Sequence, residues 1–121
     1  GFIGSPAMNF IKAKVHQGCI DLGAAGQIKL PTNLASVQGE VELGIRPEHL
    51  VLDGDGALHG RVQVIEATGS ETLIYVDCSG HRLCILMRER ASCKVGDVLR
   101  MSLKSSMLLF DPQTGNAFAG N

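Results

Sequence analysis

"GEVELGIRPEHLVLDGDG", residues 39–56, is the stretch that sets the architecture of this chain. Val41, Leu43 and Ile45 face one way while Glu40, Glu42 and Arg46 face the other, a period of two that predicts a half-buried strand. Pro47 has no N–H to give to a ladder and stops it. Leu50, Val51 and Leu52 restart a short strand, and Asp53-Gly54-Asp55-Gly56 closes it as a turn. A charged, proline-locked corner between two apolar segments is either an ordinary turn, a catalytic site or a docking surface.

The same pattern extends in both directions. Upstream, Asn9, Ile11, Ala13 and Val15 alternate with Phe10, Lys12, Lys14 and His16. Two short strands, 19–22 and 27–30, flank a glycine-rich hairpin turn at Gly23-Ala24-Ala25-Gly26. The polar segment 32–39 reads as a loop. Downstream, 58–69 and 70–80 form a long hairpin around Thr68-Gly69-Ser70-Glu71, with Gly60 and Gly69 as candidate bends or bulges. Leu73–Val76 is apolar on both faces, as in a central strand. "HRLCILMRE" follows, then 95–104, where Leu99, Met101 and Leu103 alternate with Arg100, Ser102 and Lys104, and finally "SMLLFD" before the turn "DPQTG". Only residues 1–4 and the loop around 33–37 are candidates for a helical turn. Many short strands separated by glycine turns predict an all-β, OB-like barrel with a small additional β subdomain.

Bulk composition narrows the function. The chain has 121 residues, 45% of them hydrophobic, enough for one cored domain. Net charge is -1, with four Phe, one Tyr and no Trp, which disfavours a nucleic-acid binder needing a basic stripe and stacking rings. No apolar run approaches the roughly 18 residues of a membrane-spanning helix. Cys19, Cys78, Cys84 and Cys93 form no C-x-x-C pair and lie in or beside apolar stretches, so they are expected to be reduced. His81 and Cys84 are two metal-ligand types in one strand, short of the four a structural site takes.

Catalytic signals are missing. There is no Gly-Lys pair, hence no phosphate loop of the G-x-x-x-x-G-K-[ST] kind, and no G-x-S-x-G elbow. "DGDG" lacks the closing Glu of a calcium loop. His49 beside Glu48 offers an acid and a base, but adjacent residues in a turn point apart and no nucleophile accompanies them.

"FIGSPAMNF" (2–10), "LGIRPEHL" (43–50), "VIEATGSETLIYV" (64–76) and "LLFDPQTG" (108–115), in that order, resemble the C-terminal regulatory region of ATP-binding subunits in ABC importers of the maltose and glycerol-phosphate type. The resemblance covers nearly the whole chain, residues 16–38 excepted. It implies a transport-associated OB (TOBE) fold of two β subdomains, spanning 1–121 as one regulatory domain. The start at Gly1 without Met then predicts a segment of a longer protein whose nucleotide-binding domain lies outside it. ATP and magnesium would belong to that domain, leaving no cofactor here.

The resemblance further implies a homodimer of such subunits, peripheral on the cytoplasmic side of the inner membrane. It implies contact with membrane subunits through the whole protein and, in some members, with a cytoplasmic regulator. The residues carried by the match are Gly44, Ile45, Arg46, Pro47, Glu48 and His49, with Gly69, Ser70 and Glu71, as regulatory or interface candidates. Arg46, fixed by Pro47, can present a planar fork to a carboxylate in the chain or across a subunit contact; the alternative is an internal corner whose charges only satisfy local backbone. The rival reading is a ligand-sensing OB module for a sugar or an oxyanion. Apolar residues on both faces of "LCILM" and "SMLLF" require a second cover, from a subdomain or from a second copy.

Overall fold

The computed structural model describes residues 6–104 and 107–118; the start and the 105–106 link lie outside the described residues, including the expected helical turn at 1–4. Two antiparallel five-stranded sheets make up the fold. The first has the order β10-β4-β1-β2-β3, from β1 (Asn9–His16), β2 (Cys19–Asp21), β3 (Gln27–Lys29), β4 (Gly39–Ile45) and β10 (Leu108–Phe110). The second has the order β5-β9-β6-β7-β8, from β5 (Leu50–Leu52), β6 (Leu58–Thr68), β7 (Glu71–Cys78), β8 (His81–Met87) and β9 (Val98–Leu103). No helix among the described residues is long and apolar enough to cross a membrane.

The sequence periods explain which faces meet. In β1, Asn9, Ile11 and Val15 are buried while Phe10, Lys12, Lys14 and His16 are exposed. In β4, Val41, Leu43 and Ile45 are at most 1% exposed. These faces join Leu58, Val62, Ile74, Val76, Leu83 and Ile85 of the second sheet in one apolar core. The second sheet curls until its end strands β5 and β8 stand with Cα atoms within 8 Å of each other. No ladder joins them. The result is the expected OB-like barrel, with an open seam, and the first sheet is the additional β subdomain packed on it.

Two local expectations are corrected. Short 3₁₀ turns occupy Gly23–Ala25, Thr32–Leu34 and Pro47–His49, beyond the single loop near 33–37. One turn of this kind needs no apolar period, so sequence alternation cannot reveal it. The bulge of the long hairpin falls between Val62 and Val64, not at a glycine. Gly60 stays in register opposite Leu99, while Gly69 forms the hairpin turn at φ 73. Of the two covers expected for "LCILM", the one within the chain is present: β1 of the first sheet packs against β8, and Leu83, Cys84 and Ile85 are all buried.

Candidate functional site

The corner at 44–50 carries the chain from one sheet to the other. Arg46 is extended, at φ -70 and ψ 140, as a residue before proline must be. Pro47 opens the 3₁₀ turn, where its missing N–H is no loss. His49 N–H donates to Arg46 C=O at 2.9 Å, and Lys104 N–H donates to His49 C=O at 2.7 Å, starting the β5–β9 ladder. Pro47 is buried and the turn packs against β8. Arg46 and Glu48 are exposed and His49 is half-buried. Among the described residues no carboxylate lies within ion-pair distance of Arg46. The arrangement brings no acid and base together and fits an architectural corner.

Gly44 belongs to a different surface. A Cβ there would stand 2.8 Å from Met8 Sδ and 3.0 Å from Phe110 Cε2, so only glycine lets these side chains lie over β4. Phe10 and Phe110 meet above it with ring centroids 5.9 Å apart. Phe10 is 53% exposed and Leu108 45%, so the outer face of the first sheet carries an apolar patch. The patch continues into a hollow of about 330 Å³ that includes Tyr75, Arg82 and Cys84. Arg82 lies over the Tyr75 ring at 5.0 Å. Burial chiefly raises the Tyr75 and Cys84 pKa values.

Gly69 and Ser70 form the β6–β7 tip, and Glu71 follows it. Arg88 reaches Glu71 at 3.9 Å, a loose and exposed pair. Arg88 also lines a groove of about 750 Å³ along the β5–β8 seam, opposite Glu48, His49 and Lys104. The groove therefore brings Glu48 and His49 of the corner beside the partner of Glu71. Gly69, Ser70, Gly44 and Arg46 stay outside it.

Asn9 is the residue that sequence reasoning left without a role. Its amide donates to Cys84 C=O at 2.9 Å and accepts from Cys84 N–H at 2.7 Å, both buried. The side chain imitates one residue of a neighbouring strand. The signal was present: a polar residue on the apolar parity of an alternating strand must have a buried partner.

A second opening, about 530 Å³, lies where the sheets adjoin, lined by Lys12, Lys14, Asp21, Glu40, Ser79 and His81 among others. His81 Nδ1 is buried without a hydrogen-bond partner. His81 and Cys84 are three apart on β8 and so face opposite sides, which separates the two candidate metal ligands. All four cysteines are free thiols. Burial pushes Cys78 up to about 11 and also raises Cys93, so neither favours the reactive thiolate.

Comparison with known proteins places this geometry. The chain matches the family model of the MalK OB fold domain over residues 4–50 and that of the TOBE domain over residues 43–110. It is 37% identical over 122 residues to an sn-glycerol-3-phosphate import ATP-binding protein of Ruegeria sp. (strain TM1040), covering 98% of this chain and 34% of that protein. It is 42% identical over 98 residues to a maltose/maltodextrin import ATP-binding protein of Salmonella typhi, covering 74% of this chain and 27% of that one. The chain thus spans about a third of the length of these curated relatives. A solved cytoplasmic molybdate-binding protein, ModG, shares the fold with a TM-score of 0.62 at 18% identity, covering 84% of this chain and 94% of that one.

Proposed function

The chain belongs to the TOBE domain family, and from that premise we propose that it is the non-catalytic C-terminal regulatory domain of the ATP-binding subunit of an importer for sugars or sn-glycerol 3-phosphate. The observation that carries the reading is the overlap of the two family models at residues 43–50, the corner that joins the two sheets. In this reading the nucleotide-binding domain, with ATP and magnesium, lies elsewhere in the protein. The subunit works at the cytoplasmic side of the inner membrane, against membrane subunits. Residues 1–121 act as one regulatory unit. Calorimetry of this chain with ATP and magnesium is expected to give no binding; micromolar affinity overturns the non-catalytic assignment.

Self-association is the finer part of the proposal. Phe10, Leu108 and Phe110 around Gly44 form an apolar patch on an outer sheet face, which supports an isologous contact between two copies. Sedimentation equilibrium is expected to show a weak dimer that Phe10→Ser with Leu108→Ser dissolves. A monomeric mass at hundreds of micromolar overturns it.

One observation favours a second reading. The opening between the sheets is lined by Lys12, Lys14, Asp21, Glu40, Ser79 and His81, a polar place for a small sugar or oxyanion. Thermal-shift titration with maltose, glycerol 3-phosphate and molybdate separates the readings: a saturable rise in Tm abolished by His81→Ala supports ligand sensing, and none rejects it.

A further inference from the structure

We propose that the hollow beside the Asn9–Cys84 joint is a binding site for a small organic monocarboxylate with a flat apolar body. The hollow, about 330 Å³, lies where residues 6–10 cross the outer face of β7 and β8. Leu83 and Ile85 belong to the core, so Arg82 and Cys84, of the other parity on β8, point away from it. Tyr75 stands directly opposite Cys84 in the β7–β8 ladder and shares that face. Cys84 is nevertheless only 6% exposed, because the first sheet comes over it at Asn9. The hollow therefore has one bank on each sheet.

The polar groups on these banks are donors. Arg82 lies over the Tyr75 ring at 5.0 Å, which orients its guanidinium. No carboxylate is within ion-pair distance of it among the described residues. Asp77, its cross-strand neighbour, accepts instead from Gly80 N–H at 3.1 Å. The Asn9 amide nitrogen gives one N–H to Cys84 C=O; its second N–H points away from Cys84 and meets no acceptor among the described residues. Asn9 is 7% exposed, so that N–H has little bulk water to turn to. No carboxylate lines the hollow among the described residues. A guanidinium and a buried amide N–H, with no acid beside them, call for an anionic acceptor.

Charge and shape narrow the ligand. Arg82 is the one cation on the lining among the described residues, and Glu66 of β6 is close enough to act on both Tyr75 and Cys84. One guanidinium against that background suits a single negative charge. A planar carboxylate takes both arms of its fork, whereas a doubly charged phosphate is left half-neutralised. The remaining lining is apolar: Met8, the 53% exposed Phe10, the Tyr75 ring and the Cys84 sulfur. Ring faces and polarisable sulfurs receive a flat apolar group, and the volume is at the small end of ligand pockets. A molecule seated there touches both sheets and holds the Asn9 joint shut. This site is separate from the opening lined by Lys14 and His81, and it stands whether or not that opening takes a ligand.

The test is amide hydrogen exchange at Cys84 with benzoate as the probe, on this chain at low micromolar concentration. Benzoate at ten times its Kd is expected to slow Cys84 exchange about tenfold, since the open joint has no site for it. Benzamide, which keeps the shape and loses the charge, and acetate, which keeps the charge and loses the body, are each expected to bind at least about tenfold more weakly. Inorganic phosphate is expected to leave Cys84 unchanged. Arg82→Gln, at an exposed position, is expected to weaken benzoate about tenfold while the chain stays folded. Lys14→Gln, at the other opening, is expected to leave benzoate binding as it was. No saturable slowing at Cys84 up to about 20 mM benzoate overturns the site. Equal binding of benzamide or acetate, unchanged binding in Arg82→Gln, or loss of binding in Lys14→Gln overturns it as well.

Discussion

The two sheets are joined at places of opposite character. At the Asn9–Cys84 contact and the Gly26–Leu58 bridge, the joint is buried or backbone-tight and carries no charge. At the corner from Arg46 to His49, the joint is covalent, proline-fixed and dressed with exposed charge. The corner draws the eye in the sequence, yet its conspicuous side chains touch little. What holds the corner is Pro47 in the core and the backbone bonds on either side. What holds the quiet joints is one amide and one glycine. Exposed charge marks a surface, while buried polarity marks a constraint, because only the buried group has no water to fall back on.

The largest test of that contrast is Gly26→Ala. Gly26 sits at φ 124 and ψ -168, a region essentially reserved for glycine, and an added Cβ would lie 2.1 Å from Ala57 C=O. Backbone has to move apart at the bridge to Leu58. The expected loss is about 4 kcal/mol in urea unfolding, combining strain and clash. A loss below about 1 kcal/mol would show that the bridge is not a joint at all.

Asn9→Leu comes next. Leucine restores apolar volume but leaves the Cys84 N–H and C=O unpaired where Asn9 is only 7% exposed. Two unsatisfied buried groups are expected to cost about 3 kcal/mol. Hydrogen exchange at Cys84 reads the same event locally: the amide should lose protection ahead of its neighbours in β7. Asn9→Leu with unchanged Cys84 protection would mean that another group, not the amide, covers this edge.

How much of this was readable follows from the same contrast. Strands β1, β4 and β9 were legible because a buried face leaves a period of two, and Val41, Leu43 and Ile45 obey it without exception. The hairpin of β6 and β7 was legible from its turn residues. The β10–β4 pairing, which sets Leu108 opposite Gly44, was not, since nothing local records which distant strand a short apolar segment will join. Nor was the role of Gly44, whose closeness to Met8 and Phe110 depends on that pairing. The corner was legible from Pro47 ending an alternating strand, and Pro47–His49 does lie between β4 and β5. Asn9 carries its own signal, since a polar residue on the buried parity of β1 demands a partner.

Titration sharpens the comparison on the buried side. Cys78 is 3% exposed, and burial first, then the Asp77 charge, lifts its pKa from 9.0 to about 11. Below pH 9 both folded and unfolded chains carry the neutral thiol and stability is complete. Between 9 and about 11 the unfolded chain ionises while the folded one does not, so stability falls as pH rises. The expected total is at most about 3 kcal/mol. Urea unfolding across this range, compared with Cys78→Ala, isolates the contribution. The variant is expected to be less stable throughout but flatter with pH, and an equal slope in both chains would remove Cys78 as the cause.

The smallest effect belongs to the most conspicuous residue. Arg46→Ala removes a charge that meets no carboxylate among the described residues and a side chain that is exposed. Its backbone, which accepts from His49 N–H, is untouched. The expected change in stability of the isolated chain is within about 0.5 kcal/mol. Pro47→Ala at the next position should cost about 1 kcal/mol, through lost apolar contact and a freer unfolded chain. If Arg46→Ala instead cost as much as Pro47→Ala in the isolated chain, the guanidinium would have a partner within it and the two joints would be alike. If the cost were small in dilute solution and appeared only as the chain self-associates, Arg46 would act across a contact between copies. Measuring both variants across a concentration series separates a corner that shapes one chain from a corner that also reads its neighbour.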